Sequence, residues 1–168
     1  MQALHTVYLS LGSNQRGRRR YLLRAIAKIE ELIGTVERQS AFRVTEPWGY
    51  ESRHKYLNAC VRVLTQHSPR ELLNLTQQIE RELGRRQKTT VDAATGALVY
   101  HDRPIDIDIL LFDDLVVDEP DLQIPHPRMA ERDFVMIPLR EVMGSESLEF
   151  FLRFATKAPL RVERRVES

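Results

Sequence analysis

Residues 104–112 read PIDIDILLF, and this stretch decides the fold. Successive side chains of a strand point to opposite faces. Ile105, Ile107 and Ile109 therefore take one face and Asp106 and Asp108 the other, with Leu110 and Phe112 expected beside the acids. An apolar stripe at period two predicts a strand laid on a core. Two residues of strand rise are roughly 6.6 Å, so the two carboxylates stand side by side. Two readings of that pair stay open. A cation can sit between them, and magnesium suits such oxygens when phosphate and water complete its octahedron. Alternatively, the strand simply turns one acidic face to solvent. Leu110 and Phe112 on the same face weigh against full solvation.

Outward from this strand, two segments predict its partners. His5–Leu11 sets Val7, Leu9 and Leu11 on one face, and Gly12-Ser13-Asn14 reads as the turn that ends it, with close approach of its backbone to a ligand as the less favoured reading. Tyr56–Thr65 does the same with Leu57, Ala59, Val61 and Val63. Between them, Arg19–Ile33 carries Leu22, Ala25, Ile26, Ile29, Leu32 and Ile33 at helical spacing, with Gly34 expected in the left-handed position just past the end. Thr35–Thr45 returns to strand-like sequence before Glu46-Pro47-Trp48-Gly49. Ser68-Pro69-Arg70-Glu71 combines a capping box with proline at the first helical position, and the helix runs to Gly84. Arg85–Arg103 is long, polar and irregular, with room for a short hairpin. Connections beyond ~12–15 residues are uncommon in compact domains and often functional. Leu115–Val117 and Leu122–Ile124 predict short strands, Pro125-His126-Pro127 a rigid corner, and Asp133–Val142 a helix containing Pro138. Ser145–Ala155 predicts a last helix and Val162–Ser168 a charged tail. Strands and helices that do not alternate strictly predict an α+β sandwich, ferredoxin-like, with helices packed on a largely antiparallel sheet.

The chain has 168 residues, 42% apolar and 29% charged, with a formal charge of +1. A domain of this size buries roughly 70% of its unfolded surface, so residues 1–168 read as one domain with its core at about 6–142. The near-neutral charge argues against a nucleic-acid partner, and no apolar run approaches the ~18 residues of a membrane span. The start of the chain lacks the basic segment of a secretory signal. Cys60 is the single cysteine; it reads as packing, and a cytoplasmic setting is expected. No P-loop and no dinucleotide-binding glycine motif is present, so a bound nucleotide requires another scaffold. Arg103 precedes the acidic strand, and His126 and Arg132 follow it. Paired acids for metal, with cations to neutralise a migrating group, suit phosphoryl transfer. Arg16, Arg18, Arg19 and Arg20 read as the solvated start of a helix. They also keep open a rival reading, a ferredoxin-like binding module without catalysis.

The ordered set YLSLGSN (8–14), TEPWGY (45–50), YLNACV (56–61), QIERELGR (78–85), DRPIDIDILLF (102–112) and IPHPRMAERDFV (124–135) closely resembles the 6-hydroxymethyl-7,8-dihydropterin pyrophosphokinase family of folate biosynthesis. The resemblance implies a monomer that transfers the diphosphate of ATP to a reduced pterin and releases AMP, with two magnesium ions. It implies Asp106 and Asp108 as metal ligands and Arg103 and Arg85 as catalytic-loop cations. It also implies His126 and Arg132 at the triphosphate, and Gln77, Glu80 and Ile109 near the adenosine. Tyr56 and Phe134 are implied to stack on the pterin, Asn58 to read its edge, and Thr45 and Trp48 to flank it. Stacking suits a flat heterocycle, and an asparagine amide supplies both a donor and an acceptor. The sequence departs from the family pattern at Gln87, where a second cation is usual, and at Tyr100, where some members carry tryptophan. Arg85–Arg103 is expected to close over the phosphates.

Overall fold

The first strand is longer than its alternating pattern suggests. In the computed structural model, which describes residues 3–45, 55–84, 89–91, 94, 98–100 and 104–144, β1 spans His5–Ser13. Gly12 and Ser13, expected in a turn, stay in the ladder because β1 has a strand on each side. It pairs antiparallel with β4 (Tyr56–Thr65) along its whole length and with β7 (Asp106–Phe112) from Val7 to Gly12. Two flanking ladders override the weak strand preference of glycine.

The remaining strands extend the β4 side. β2 (Gly34–Gln39) and β3 (Arg43–Thr45) both pair with β4, giving the order β2-β4-β1-β7 with every pairing antiparallel. The stretch predicted as one strand is two because Ser40 interrupts it. Its N–H donates to the Cys60 carbonyl at 2.9 Å, and its hydroxyl accepts from the Cys60 N–H at 2.9 Å in place of a backbone acceptor. α1 (Arg18–Leu32) links β1 to β2, and α2 (Pro69–Glu82) links β4 to β7. These are two interleaved split βαβ units, the ferredoxin-like arrangement expected. The capping box at Ser68 and Glu71 forms with Pro69 at the helix start.

Alternation divides the sheet into two faces. Val7, Leu9, Leu11, Val61, Val63, Ile105, Ile107 and Ile109 pack beneath Leu22, Ala25 and Ile29 of α1 and Leu72 and Ile79 of α2. The other face carries Tyr8, Cys60, Leu110 and Leu111 under Val135, Met136, Leu139 and Val142 of α3 (Asp133–Val142), a helix that runs through Pro138. Phe112 corrects the expectation from strict alternation. The β1–β7 register shifts between Tyr8 and Leu9, so Leu110 is an extra residue and Leu111 faces Tyr8. That bulge turns Phe112 into the core under α1 and α2, away from the acids.

β5 (Thr89–Val91) and β6 (Leu98–Tyr100) form the short hairpin foreseen within 85–103. β8 (Val117–Glu119) and β9 (Leu122–Ile124) form another. β8 begins where the sequence reading ended it, since the Leu115 N–H closes a turn on the Phe112 carbonyl. No helix among the described residues is long and apolar enough to cross a membrane. The predicted 145–155 helix and the charged tail lie outside the described residues.

Gly34 is required for a reason other than the one its position suggests. It begins β2 without a positive φ, and a Cβ there would lie 1.9 Å from the Leu64 carbonyl oxygen. Gly144, by contrast, has nothing within 4 Å of that position. Gly34→Ala is expected to destabilise the protein by about 3 kcal/mol, the upper end for overpacking, while Gly144→Ala leaves stability nearly unchanged. Urea denaturation of both variants checks this, and equal midpoints would remove the steric explanation.

Candidate active site

One end of the α3-side face is built on a missing side chain. Across the sheet, Gly12 pairs with Asn58 on one side and Asp106 on the other, and in the next row Ser10 pairs with Cys60 and Asp108. Strands lie roughly 4.8 Å apart, so the Asn58 and Asp106 backbones stand about 10 Å from each other. A Cβ on Gly12 would meet Asn58 Oδ1 at 2.8 Å and the Tyr56 ring at 3.6 Å. The glycine therefore lets the Asn58 amide lie across β1. Asn58 is 4% exposed, and its Nδ2 donates to Thr45 Oγ1 in a short hydrogen bond. β3 brings that threonine into place by pairing Thr45 with Tyr56 and Arg43 with Asn58. Glu141 of α3 holds the approach to β3. It accepts from the Ala41 N–H at 2.8 Å and from Arg43 Nη2 at 2.8 Å, and the guanidinium, then that N–H, hold its carboxyl below the ordinary range. Thr45, Tyr56 and Asn58 are thus one cluster, as expected. Gly12 joins this cluster from within the strand, not from the plain turn that the sequence reading favoured; a glycine inside a period-two pattern was the available signal.

Asp106 and Asp108 are half-buried on the same face. His126 comes near Asp108 from the β9–α3 connection. Its N–H donates to the carbonyl of the bulged Leu110 at 3.0 Å, pinning this corner, which includes a cis peptide before Pro125, to β7. Burial pushes the His126 imidazole below its ordinary pKa, Asp108 pulls the other way, and Arg132 and Arg128 reinforce the depression. The Arg128 N–H donates to His126 Nδ1 at 3.4 Å, so the neutral ring carries its proton on Nε2. Arg132 immediately precedes α3, and its guanidinium carbon lies 5.7 Å from the centroid of the Phe134 ring. The face therefore gathers Asp106, Asp108, His126, Arg132, Phe134, Tyr56, Asn58 and Thr45.

Three expected residues belong to the opposite layer or its edge. Ile109 is buried in the core under α1 and α2, so only its backbone at the sheet edge is available to a ligand. Glu80 of α2 is buried, and its Oε2 accepts from the Ile107 N–H at 2.8 Å. Gln77, one turn earlier, is exposed. Trp48, Arg85 and Arg103 lie outside the described residues, as does the departure at Gln87. Cys60 is buried in the α3-side cluster and burial pushes its thiol up, in keeping with a packing role. Of the arginine run, Arg18 donates to the Lys55 carbonyl at 3.2 Å and Arg19 covers the Phe42 ring at 5.2 Å.

Chemically, the site offers two adjacent carboxylates, a neutral imidazole N–H, a guanidinium and a polar amide next to aromatic rings. Among the described residues no group of three or more His, Cys, Asp and Glu is placed to hold a metal ion. Asp106 and Asp108 alone fit a magnesium ion that takes its remaining oxygens from water and from the ligand itself.

The chain matches the 7,8-dihydro-6-hydroxymethylpterin-pyrophosphokinase (HPPK) family over residues 8–144. It is 48% identical over 137 residues to the 2-amino-4-hydroxy-6-hydroxymethyldihydropteridine pyrophosphokinase of Porphyromonas gingivalis, covering 81% of this chain and 89% of that one. It is 42% identical over 136 residues to the Bacillus subtilis protein of the same name, covering 80% and 76%. In fold it is similar to a crystal structure of Plasmodium falciparum HPPK-DHPS, with a TM-score of 0.64 at 18% identity, covering 83% of this chain and 40% of that one.

The depressed His126 has a pH consequence. Its folded pKa lies below the unfolded value near 6.5, so the unfolded chain binds the proton more readily. This contribution to stability is complete above pH ~6.5 and falls as pH drops below it toward the folded value. An NMR titration of the ligand-free protein is expected to place His126 below 6.5, and Asp108→Asn to lower it further by removing the favourable charge. A His126 titrating above 6.5 would contradict the buried-ring account.

Proposed function

The chain belongs to the 7,8-dihydro-6-hydroxymethylpterin-pyrophosphokinase family, and from that premise we propose how its residues divide the work. It transfers the diphosphate of ATP to the hydroxymethyl group of 6-hydroxymethyl-7,8-dihydropterin, giving the pterin diphosphate and AMP in folate synthesis. The pterin oxygen forms a bond to the β-phosphorus, the bond from that phosphorus to the α-phosphate bridging oxygen breaks, and the hydroxyl proton is released. Such a reaction asks the protein for alignment and charge neutralisation more than for covalent chemistry.

In our reading the pterin lies over Gly12. Tyr56 and Phe134 stack on its two sides, Asn58 reads its amide and amino edge, and Thr45 orients Asn58, with Trp48 alongside. Asp106 and Asp108 hold magnesium, two ions by family resemblance, which when bound neutralises the triphosphate and polarises its oxygens. Arg132 and the Nε2–H of His126 bind phosphate oxygens. Arg85 and Arg103 supply further cations from the loop positions that the resemblance assigns them. Gln77, Glu80 and the Ile109 backbone lie toward the adenosine. Thr45, Tyr56, Asn58, Asp106, Asp108, His126, Arg132 and Phe134 all come from one copy of the chain, which supports a monomer. The formal charge of +1 supports a reading without nucleic acid, and the protein is placed in the cytoplasm, away from membranes, as part of the same reading. The observation that carries the reading is the row Asn58–Gly12–Asp106, which sets an amide and a carboxylate on either side of one glycine.

Release of AMP from ATP, dependent on both magnesium and the hydroxymethyl pterin, tests the proposal directly. Asp106→Asn or Asp108→Asn is expected to lower turnover roughly 100-fold or more with an unchanged circular dichroism spectrum; near-normal turnover in either would sink the two-acid site.

Asn58→Ala is expected to weaken pterin binding by about 1–3 kcal/mol and to leave ATP binding nearly unchanged. Calorimetry with each ligand separates the two, and equal losses would place Asn58 outside the pterin pocket.

A further inference from the structure

The two acids of β7 flank one residue, Ile107, whose N–H belongs to the peptide that joins it to Asp106. In an antiparallel ladder, successive N–H groups point alternately toward and away from the partner strand. The Ile107 N–H points away from β1, and β7 has no other strand neighbour among the described residues. It would be left at an open sheet edge, but Glu80 reaches it. The carboxylate comes from α2, which packs on the opposite face of the sheet from Asp106 and Asp108. Oε2 accepts the N–H at 2.8 Å, and the residue is only 7% exposed.

A carboxylate this deep is strongly disfavoured unless it accepts good hydrogen bonds, so the bond to Ile107 matters to both partners. A charge-assisted bond is also shorter and stiffer than a neutral one. It fixes the plane of the peptide joining Asp106 to Ile107, and with it the directions in which the Asp106 and Asp108 side chains leave the strand. Farther along the same edge, the Leu110 carbonyl is held by the His126 N–H at 3.0 Å. The metal strand is thus pinned from outside the ladder on either side of Asp108.

We propose that Glu80 is a positioning residue for the acid pair: from behind the sheet, its bond to the Ile107 N–H sets the spacing and direction of Asp106 and Asp108. This rests on the reading of those acids as metal ligands and adds to any contact Glu80 makes with adenosine. Partners of this outer kind typically change metal affinity or activity by roughly 10–100-fold when removed.

The test uses Glu80→Leu, which removes the acceptor, and Glu80→Gln, which keeps a neutral one. In the metal-free labelled protein, amide exchange at Ile107 is expected to be slow in wild type, fast in Glu80→Leu and intermediate in Glu80→Gln, with the β1–β4 amides unaffected. The magnesium concentration for half-maximal turnover is expected to rise roughly 10-fold in Glu80→Leu and to recover largely in Glu80→Gln, with pterin affinity unchanged. Should Glu80→Leu fail to fold, the Glu80→Gln exchange rate and magnesium dependence still decide the matter, since both must shift in the stated direction. Unchanged Ile107 exchange would overturn the proposal, as would a loss confined to ATP affinity, which makes Glu80 a nucleotide contact alone. A wild-type protein without diphosphate transfer would overturn the proposed function instead. The Ile107 exchange, with manganese binding measured by paramagnetic resonance, would then decide the positioning role without any activity assay.

Discussion

The register that sets Gly12 between Asn58 and Asp106 is the constraint on which the site depends. It places the amide and the carboxylate on one row of one face, about two strand spacings apart. The absent side chain between them leaves the floor low enough for Asn58 to fold across β1. A slip of one residue in either ladder would send Asn58 or both acids into the helix-covered core, where an unpaired carboxylate is strongly disfavoured. The geometry of the candidate site and the packing of the core are therefore specified by the same hydrogen bonds.

The two faces are covered unequally, and that inequality makes the site. α1 and α2 seal one face with an aliphatic core. α3 is short, covering Tyr8, Cys60, Leu110 and Leu111, while Asp106 and Asp108 on the same face stay half-buried. The bulge at Leu110 serves both sides. It adds a second leucine under α3, returns Phe112 to the main core, and presents the carbonyl that anchors His126. A bulge beside a functional site commonly re-aims side chains in this way.

Charged side chains tie the layers together. Glu80 links α2 to the outer edge of β7, and Glu141 links α3 to Ala41 and Arg43 ahead of β3. Arg70 at the start of α2 bonds Asp121 at 2.7 Å and also Glu119, holding the β8–β9 hairpin that leads to His126. The pairs made by Arg70 and Glu141 are exposed, and such pairs add little to global stability. Their contribution is to direct the segments that carry His126 and Thr45 toward the sheet.

Much of this protein was legible in its sequence. Val7-Leu9-Leu11 and Ile105-Ile107-Ile109 at period two, the capping box at Ser68, and the helical spacing through Ile29 and Ile79 predicted the elements, because local periodicity and turn chemistry act within a few residues. The paired acids were likewise visible, and resemblance to a family gave them, His126 and Asn58 their expected roles. Tertiary structure alone decided that Gly12 lies in the ladder rather than a turn, that Gly34 is needed for clearance against Leu64, and that Phe112 crosses to the other face. It also decided that Glu80 reaches the Ile107 N–H between the two acids. Each of these depends on what a distant segment places alongside, and a one-dimensional pattern carries the period of a strand but not the identity or register of its neighbours.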